Sequence, residues 1–253
     1  MKKTSRRDAE DAKILIQKKI LLRKTSLVDF PGCVSAVFFF SGCNLRCPWC
    51  HNRNLITGEG EAFIEIEAGL AHLTKRKNIL GGVVLSGGEP CLWGELASLI
   101  VEIKKIPIPV KLDTNGMFPA LLENLFSREE SRPDFIALDL KAAPSRYREL
   151  LPSGETAPDP GELLCRSAAL IRSSGIRSEY RSLALPGGFF TESDVEALAP
   201  LADNSPWYFR PFKGGNCLDP AWDSMEEPAG VALERAASLA AKARELGKNG
   251  IAR

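Results

Sequence analysis

The sequence lacks an excess of charge of either sign: 33 basic residues stand against 32 acidic ones, a formal net charge of +1. Beyond the N-terminus neither sign gathers into a patch. Nucleic-acid binders show a basic excess or a basic face, so that class is set aside. The chain also lacks any apolar run approaching a bilayer span. Its opening, MKKTSRRDAEDAKILIQKKILLRK (1–24), is charged throughout, without the unbroken apolar core of a secretion signal. The expectation is a soluble, cytoplasmic protein with no nucleic-acid and no membrane partner. There is no internal repeat and no long linker. Residues 1–20 read as a polar arm, and residues 21–253 as one domain that ends in a helix.

What is present is alternation. Short apolar runs, VSAVFFF (34–40), GVVLS (82–86), PVKLD (109–113), FIALDL (135–140), SEYRSLAL (178–185) and WYFRPF (207–212), read as strands. Several are apolar on both faces, as a covered parallel sheet requires. Helical spacing lies between them. Leu96, Leu99, Ile100 and Ile103 recur at i, i+3, i+4 and i+7. Leu164, Ala168 and Ile171 do likewise, with Gly175 as a stop signal. TESD (191–194) is a capping-box pattern, and Leu233, Ala236, Ala240 and Ala243 mark one face of a last helix. Strands alternating with helices predict an α/β fold with a parallel sheet. Six units fall short of a closed eight-stranded barrel, leaving an open partial barrel or a doubly wound sheet. Either places the chemistry at the C-terminal ends of the strands. The polar clusters fall there: Cys43 to Cys50, Ser86 to Glu89, Asp113 to Asn115, Asp139 with Lys141, and Arg210 to Lys213.

Three cysteines, Cys43, Cys47 and Cys50, follow the first of these strands within eight residues. Four readings compete. Structural zinc wants a fourth ligand, and His51 is adjacent to Cys50 rather than spaced from it. CPWCH (47–51) matches the C-x-x-C-H of haem attachment, which goes with export. A redox dithiol at Cys47 and Cys50 leaves Cys43 unexplained. An iron–sulfur cluster normally takes four thiolates, so three leave one iron open to another ligand.

CNLRCPWCHN (43–52) resembles the C-x-x-x-C-x-x-C signature of radical S-adenosylmethionine (SAM) enzymes. With LSGGEP (85–90), LDTNG (112–116), LDLK (138–141), KTSLVDFPG (24–32) and LPGG (185–188), the chain is similar to the glycyl-radical-enzyme activase branch over roughly residues 20–213. Its motifs are most similar to those of the activating protein of anaerobic ribonucleoside-triphosphate reductase. The resemblance implies a partial (β/α)6 barrel and one [4Fe–4S] cluster on Cys43, Cys47 and Cys50. It implies that SAM chelates the open iron and is cleaved reductively to methionine and a 5′-deoxyadenosyl radical. That radical would take a Cα hydrogen from a glycine of a partner glycyl radical enzyme. A low-potential donor such as flavodoxin or ferredoxin would supply the electron.

The same resemblance implies the site residues. Gly87 and Gly88 would allow close backbone approach to a ligand; the bland reading is a plain strand-to-helix turn. Glu89 would face the SAM amino group. Trp49 would stack near the adenine, against an equal claim as a packing residue, and His51 lies in the same segment. Asp113, Thr114 and Asp139 would hold a monovalent cation beside the SAM carboxylate, and Lys141 would contact that carboxylate; the bland reading is surface salt bridging. RPFKGG (210–215) departs from the formate-lyase activase pattern, with Lys213 where that type has a histidine. Cys33, Cys165 and Cys217 read as buried apolar thiols, and Cys91 as part of the site wall. The alternatives are a formate-lyase-type activase, a radical SAM enzyme for a small molecule, or an electron-transfer module without catalysis. The motifs beyond the cysteines speak against the module, which has no use for a SAM pocket.

Overall fold

The computed structural model describes residues 19–57, 62–155, 158–225 and 227–253. Among these, nine strands share one sheet: β1 (Lys19–Ser26), β2 (Ser35–Phe40), β3 (Ile64–Glu65), β4 (Gly82–Gly87), β5 (Val110–Thr114), β6 (Phe135–Asp139), β7 (Arg177–Ala184), β8 (Trp207–Pro211) and β9 (Gly250–Ala252). The helices are α1 (Arg53–Thr57), α2 (Ile66–Arg76), α3 (Leu96–Lys104), α4 (Pro119–Phe126), α5 (Pro160–Ser174), α6 (Glu192–Leu198) and α7 (Ala229–Glu245). The strand order is β3-β1-β2-β4-β5-β6-β7-β8-β9. Every pair from β2 across to β9 is parallel, while β1 runs antiparallel to β2 and β3 antiparallel to β1. The six expected strands are therefore the consecutive parallel core of an α/β sheet. Of the described helices, none is long and apolar enough to cross a membrane.

Three strands were not expected. β1, KILLRKTS, buries only Ile20 and Ser26 and shows no alternation, and a bulge between Arg23 and Ser26 breaks its register. β3 and β9 are two and three residues long, too short for any periodicity. The arm expected over residues 1–20 lies outside the described residues up to residue 18, and Lys19 with Ile20 opens β1 instead.

The pleat separates two environments. Ala36, Phe38, Val83, Leu85, Leu112, Ile136 and Leu138 join Leu96, Ile100, Leu122, Leu164 and Ile171 of the helices in the large core. The oppositely facing Val37, Val84 and Phe135 form a small separate cluster with Phe30. That second face turns charged further along the strands, at Lys111, Asp113, Asp139, Glu179 and Arg181. The helices end as their sequences dictate. In α5, Asp159 caps the N-terminus through Oδ1 and the Gly161 N–H (2.9 Å), and Gly175 closes the other end at φ 69°. Asp194 Oδ2 accepts the Thr191 N–H at 2.9 Å, as the TESD pattern predicts. In α7 the buried stripe is Ala232, Ala236, Leu239, Ala240 and Ala243. Ala236, Ala240 and Ala243 lie on it as expected, whereas Leu233 is 51% exposed and Ala232, one position earlier, is buried in its place.

Candidate active site

The loop after β2 carries the three cysteines and is fastened on every side. The Gly42 N–H donates to the Leu55 carbonyl (2.8 Å), the Arg46 N–H to the Leu150 carbonyl (2.7 Å), and the Cys50 N–H to the Cys47 carbonyl (3.0 Å). Arg46 Nη1 also donates to the Cys43 carbonyl at 2.6 Å. The Leu45 N–H points at Cys43 Sγ (3.4 Å), and Asn115 Nδ2 lies 3.9 Å from the same sulfur. Burial pushes the Cys43 thiol up to about 11 and the Cys47 thiol up to about 12, so thiolates here need the compensating charge of a metal. Among the described residues no three Cys, His, Asp or Glu side chains converge on a point suited to a single ion. Three thiols are one ligand short of a structural zinc site, whereas a cubane spreads its ligands over separate irons and three thiolates leave one iron open.

The ends of β4 and β5 lock against that loop. The Gly88 N–H donates to the Phe40 carbonyl and the Glu89 N–H to the Gly42 carbonyl, each at 2.9 Å. A Cβ at Gly87 would collide with the Phe40 backbone, and one at Gly88 with the Gly42 carbonyl. Besides any ligand, the backbone of Phe40 and of Gly42 in the cysteine loop approaches these glycines. Glu89 is buried and clamps three groups: Oε1 accepts from the Cys91 N–H (3.0 Å) and the Thr114 hydroxyl (2.9 Å), and Oε2 from the Asn115 N–H (2.7 Å). Burial raises its pKa, against the lowering effect of these donors.

A run of ion pairs lines the charged face of the sheet. Lys111 Nζ donates to the Asp29 carbonyl (2.7 Å) and lies 3.0 Å from Asp113 Oδ1 and 3.2 Å from Glu179 Oε1. The contact to Asp113 Oδ1 is an ion pair out of hydrogen-bonding alignment. Arg181 Nη1 donates to Asp113 Oδ2 (3.0 Å) and Arg181 Nε to Asp139 Oδ1 (2.8 Å), while Lys141 Nζ holds Asp139 Oδ2 (3.0 Å). Burial alone would raise both aspartates. Arg181 with Lys111 holds Asp113 below the usual carboxylate range, and Arg181 with Lys141 holds Asp139 well below it. The pairs of Lys111 are buried and those of Asp139, Lys141 and Arg181 are partly buried at the cavity wall, so neither set is the surface salt bridging of the bland reading.

A segment without hydrophobic periodicity, Leu218 to Trp222, roofs the cysteine loop. The Leu218 N–H donates to the Cys50 carbonyl (2.9 Å) and the Asp219 N–H to the Pro48 carbonyl (3.0 Å). Trp222, in the turn Pro220–Met225, packs on Trp49 (ring centroids 5.2 Å apart), Phe189 (4.6 Å) and Phe212 (5.6 Å). His51 stacks on Phe212, and its Nε2 donates to the Lys213 carbonyl at 2.6 Å.

One cavity of about 400 Å³ is lined by Cys43, Cys47, Cys50, Trp49, His51, Gly87, Gly88, Glu89, Asp113, Thr114, Asp139 and Lys141. All twelve residues singled out from the sequence therefore meet, in a volume within the roughly 300–1,000 Å³ of small-molecule sites. Arg181, Arg210, Ser86 and Asn115 line it too. Arg181 had not been singled out; its signal was Glu179 and Arg181 at i and i+2 in an otherwise buried strand. Three expectations need correction. Asp113 and Asp139 are bridged by Arg181, where a monovalent cation was expected, so the residues do not fit that ion. Cys91 is buried behind Glu89, with Sγ 3.5 Å from Thr114 Oγ1, and is not part of the cavity lining. Cys33 and Cys165 are only partly buried, whereas Cys217 is buried as expected.

Comparison with known proteins agrees with this geometry. The family model of the Radical SAM superfamily matches residues 37–201. The chain is 27% identical over 221 residues to the Methanocaldococcus jannaschii protein MJ1227, named provisionally as a glycyl-radical enzyme activating enzyme, covering 86% of this chain and 89% of that one. It is 33% identical over 119 residues to the pyruvate formate-lyase 1-activating enzyme of Escherichia coli K12, covering 45% of this chain and 48% of the relative. It is also 35% identical over 92 residues to the 7-carboxy-7-deazaguanine synthase of Hyperthermus butylicus, covering 36% and 38%. The structure of a radical SAM methyltransferase from Sphaerobacter thermophilus superposes with a TM-score of 0.65 at 18% identity, covering 88% of this chain and 67% of that one, a likeness of fold alone. The family match falls on the strands that carry the three cysteines, the glycine–glutamate turn and the paired aspartates, and the chain belongs to the radical SAM superfamily.

Proposed function

We propose that this protein is an activase that installs a glycyl radical in a partner enzyme, and that the partner is an anaerobic ribonucleoside-triphosphate reductase. The observation that carries the activase reading is the similarity to the MJ1227 protein over 86% of the chain, on a site whose twelve expected residues line one cavity. When bound, the [4Fe–4S] cluster supplies the electron that cleaves SAM and so releases the radical that takes the glycine hydrogen.

Within this reading, Cys43, Cys47 and Cys50 hold three irons, and the fastened loop fixes their spacing before the cluster arrives. Lys141 and Arg181 place positive charge where the SAM carboxylate lies, since charge-assisted hydrogen bonds are the stronger kind. Glu89 uses three lone-pair positions on protein donors and keeps a fourth for the SAM amino group. Trp49 and Trp222 wall the cysteine loop from solvent, which a carbon radical requires.

The choice of the reductase as partner rests on KTSLVDFPG (24–32) and on a layout with a single cluster motif. The test is electron paramagnetic resonance of candidate glycyl radical enzymes incubated anaerobically with the cluster-loaded protein, SAM and a reductant such as reduced flavodoxin. A glycyl signal in the reductase supports the full reading. A signal only in a formate-lyase-type enzyme keeps the activase and overturns the partner. The partial similarity to 7-carboxy-7-deazaguanine synthase favours one second reading, a small-molecule radical SAM enzyme. SAM cleavage stimulated by a small molecule, with no glycyl signal in any partner, would establish it.

A further inference from the structure

A buried carboxylate beside a partly buried one, here Asp113 and Asp139, needs positive charge between the two, and in this protein the chain itself provides it. Asp139 and Arg181 are direct cross-strand partners in the parallel register of β6 and β7, so the Arg181 guanidinium is delivered beside Asp139 by the sheet and not by a chance side-chain rotation. Its Nε donates to Asp139 Oδ1 at 2.8 Å and its Nη1 to Asp113 Oδ2 at 3.0 Å. Its side chain is 15% exposed.

The remaining carboxylate oxygens each face a lysine ammonium. Asp113 Oδ1 faces Lys111 Nζ at 3.0 Å and Asp139 Oδ2 faces Lys141 Nζ at 3.0 Å, while Asp113 Oδ2 also accepts from the Ser86 hydroxyl at 3.1 Å. Thr114 is turned to the other face of the strand, where its hydroxyl donates to Glu89 Oε1 at 2.9 Å and accepts the Gly116 N–H at 3.1 Å. Within the ion-paired group, Asp113, Asp139 and Glu179 are matched by Lys111, Arg181 and Lys141, and Arg210 adds a further positive charge to the cavity wall. Asp113 Oδ1 accepts no hydrogen bond, but a cationic ammonium already faces it at 3.0 Å, so a dehydrated monovalent ion there would sit against Lys111 and leave the group with excess positive charge.

We propose that the Arg181 guanidinium is a built-in substitute for a monovalent cation in the cavity, so that SAM binding in this protein is independent of sodium and potassium. Arg181 is then a positioning residue that carries the fixed charge beside the SAM carboxylate, a role that rests on reading the cavity as the SAM site. A guanidinium on a strand also keeps that charge in place at any ionic composition, whereas a bound ion exchanges with the medium.

The experiment compares SAM affinity of the cluster-loaded protein, by isothermal titration, in sodium, potassium and tetramethylammonium chloride at equal ionic strength. Equal affinity within about twofold is expected; binding tighter by tenfold or more in sodium or potassium overturns the proposal. In Arg181→Gln the site loses its fixed charge, and affinity is expected to become dependent on sodium or potassium by about tenfold or more. A folded Arg181→Gln protein with unchanged affinity in all three salts overturns the role of Arg181. Sodium-23 line widths provide a readout that needs no SAM: site broadening by the parent protein refutes the proposal, and its absence supports it. If SAM binds in none of the salts, the SAM reading of the cavity falls while the line widths still decide the cation. If Arg181→Gln does not fold, the parent measurements decide alone.

Discussion

At the scale of single residues, the proposed function separates groups that would hold ligands from groups that hold the site together. Cys43→Ala, Cys47→Ala and Cys50→Ala are each expected to abolish the visible absorbance of the reconstituted cluster, since each removes the thiolate of one iron. Cys33→Ser and Cys165→Ser are expected to retain it. Their thiols are only partly buried and neither lines the cavity. Glu89 sits in both groups. A glutamine there turns one carboxylate oxygen into a donor facing the Asn115 N–H or the Cys91 N–H and Thr114 hydroxyl. The expected cost is about 1–3 kcal/mol of stability, read by denaturant unfolding of the cluster-free protein, alongside weaker SAM binding. Lys141→Ala is expected to weaken SAM binding about tenfold by isothermal titration while leaving cluster absorbance intact. A cluster lost in Lys141→Ala would assign Lys141 to cluster retention instead.

At the scale of elements, the cysteine loop owes its shape to three neighbours that are distant in sequence. Gly88 admits the Gly42 carbonyl only because it lacks a Cβ. Gly88→Ala forces apart the loops after β2 and β4, an overpacking cost of about 1–3 kcal/mol or more, and the cluster yield on reconstitution is expected to fall with it. The roof is the second neighbour. Trp222 packs on Trp49, Phe189 and Phe212, so Trp222→Ala opens a cavity directly over the Cys50 segment. Faster bleaching of the cluster by a chelator or by oxygen is the expected result, with the same iron content at the start. Bleaching at the parental rate would show that the roof does not guard the cluster. The third neighbour, the turn Pro144–Leu150, holds the loop through the Arg46 N–H and the Leu150 carbonyl (2.7 Å).

At the scale of the molecule, the inner face of the sheet is an ion-paired column that costs desolvation and fixes the geometry of the site. Its pH signature follows from the two aspartates. Both have folded-state pKa values below the ordinary aspartate range, near 3.9 in an unfolded chain. Their contribution to stability is therefore fully present above about pH 4 to 5 and is lost as pH falls through the folded values. The thermal midpoint of the cluster-free protein is expected to drop below about pH 4. In Asp139→Asn that acid-side drop is expected to be shallower, from a lower starting midpoint. An unchanged acid limb in Asp139→Asn would show that the column is not a pH-dependent source of stability.

The sequence by itself determined the parallel core, because runs such as VSAVFFF and GVVLS are apolar on both faces and alternate with helical spacing. It also singled out Cys43, Cys47 and Cys50 as the candidate cluster ligands, because three thiols at that spacing are a local pattern needing no partner from elsewhere. Expected site positions could be placed at the ends of successive strands for the same reason: topology sends those ends to one edge. Tertiary structure alone decided what those positions do to each other. The glycines of the GGE turn are required by the Phe40 and Gly42 backbone, which lies over forty residues away in the chain. Arg181 enters the site through its cross-strand pairing with Asp139, and no local pattern marks a cross-strand pair. The roof at Leu218 to Trp222 has no periodicity to reveal it. Its place is set by two backbone hydrogen bonds and a stack of aromatic rings, contacts that exist only once β8 has brought that segment beside the cysteine loop.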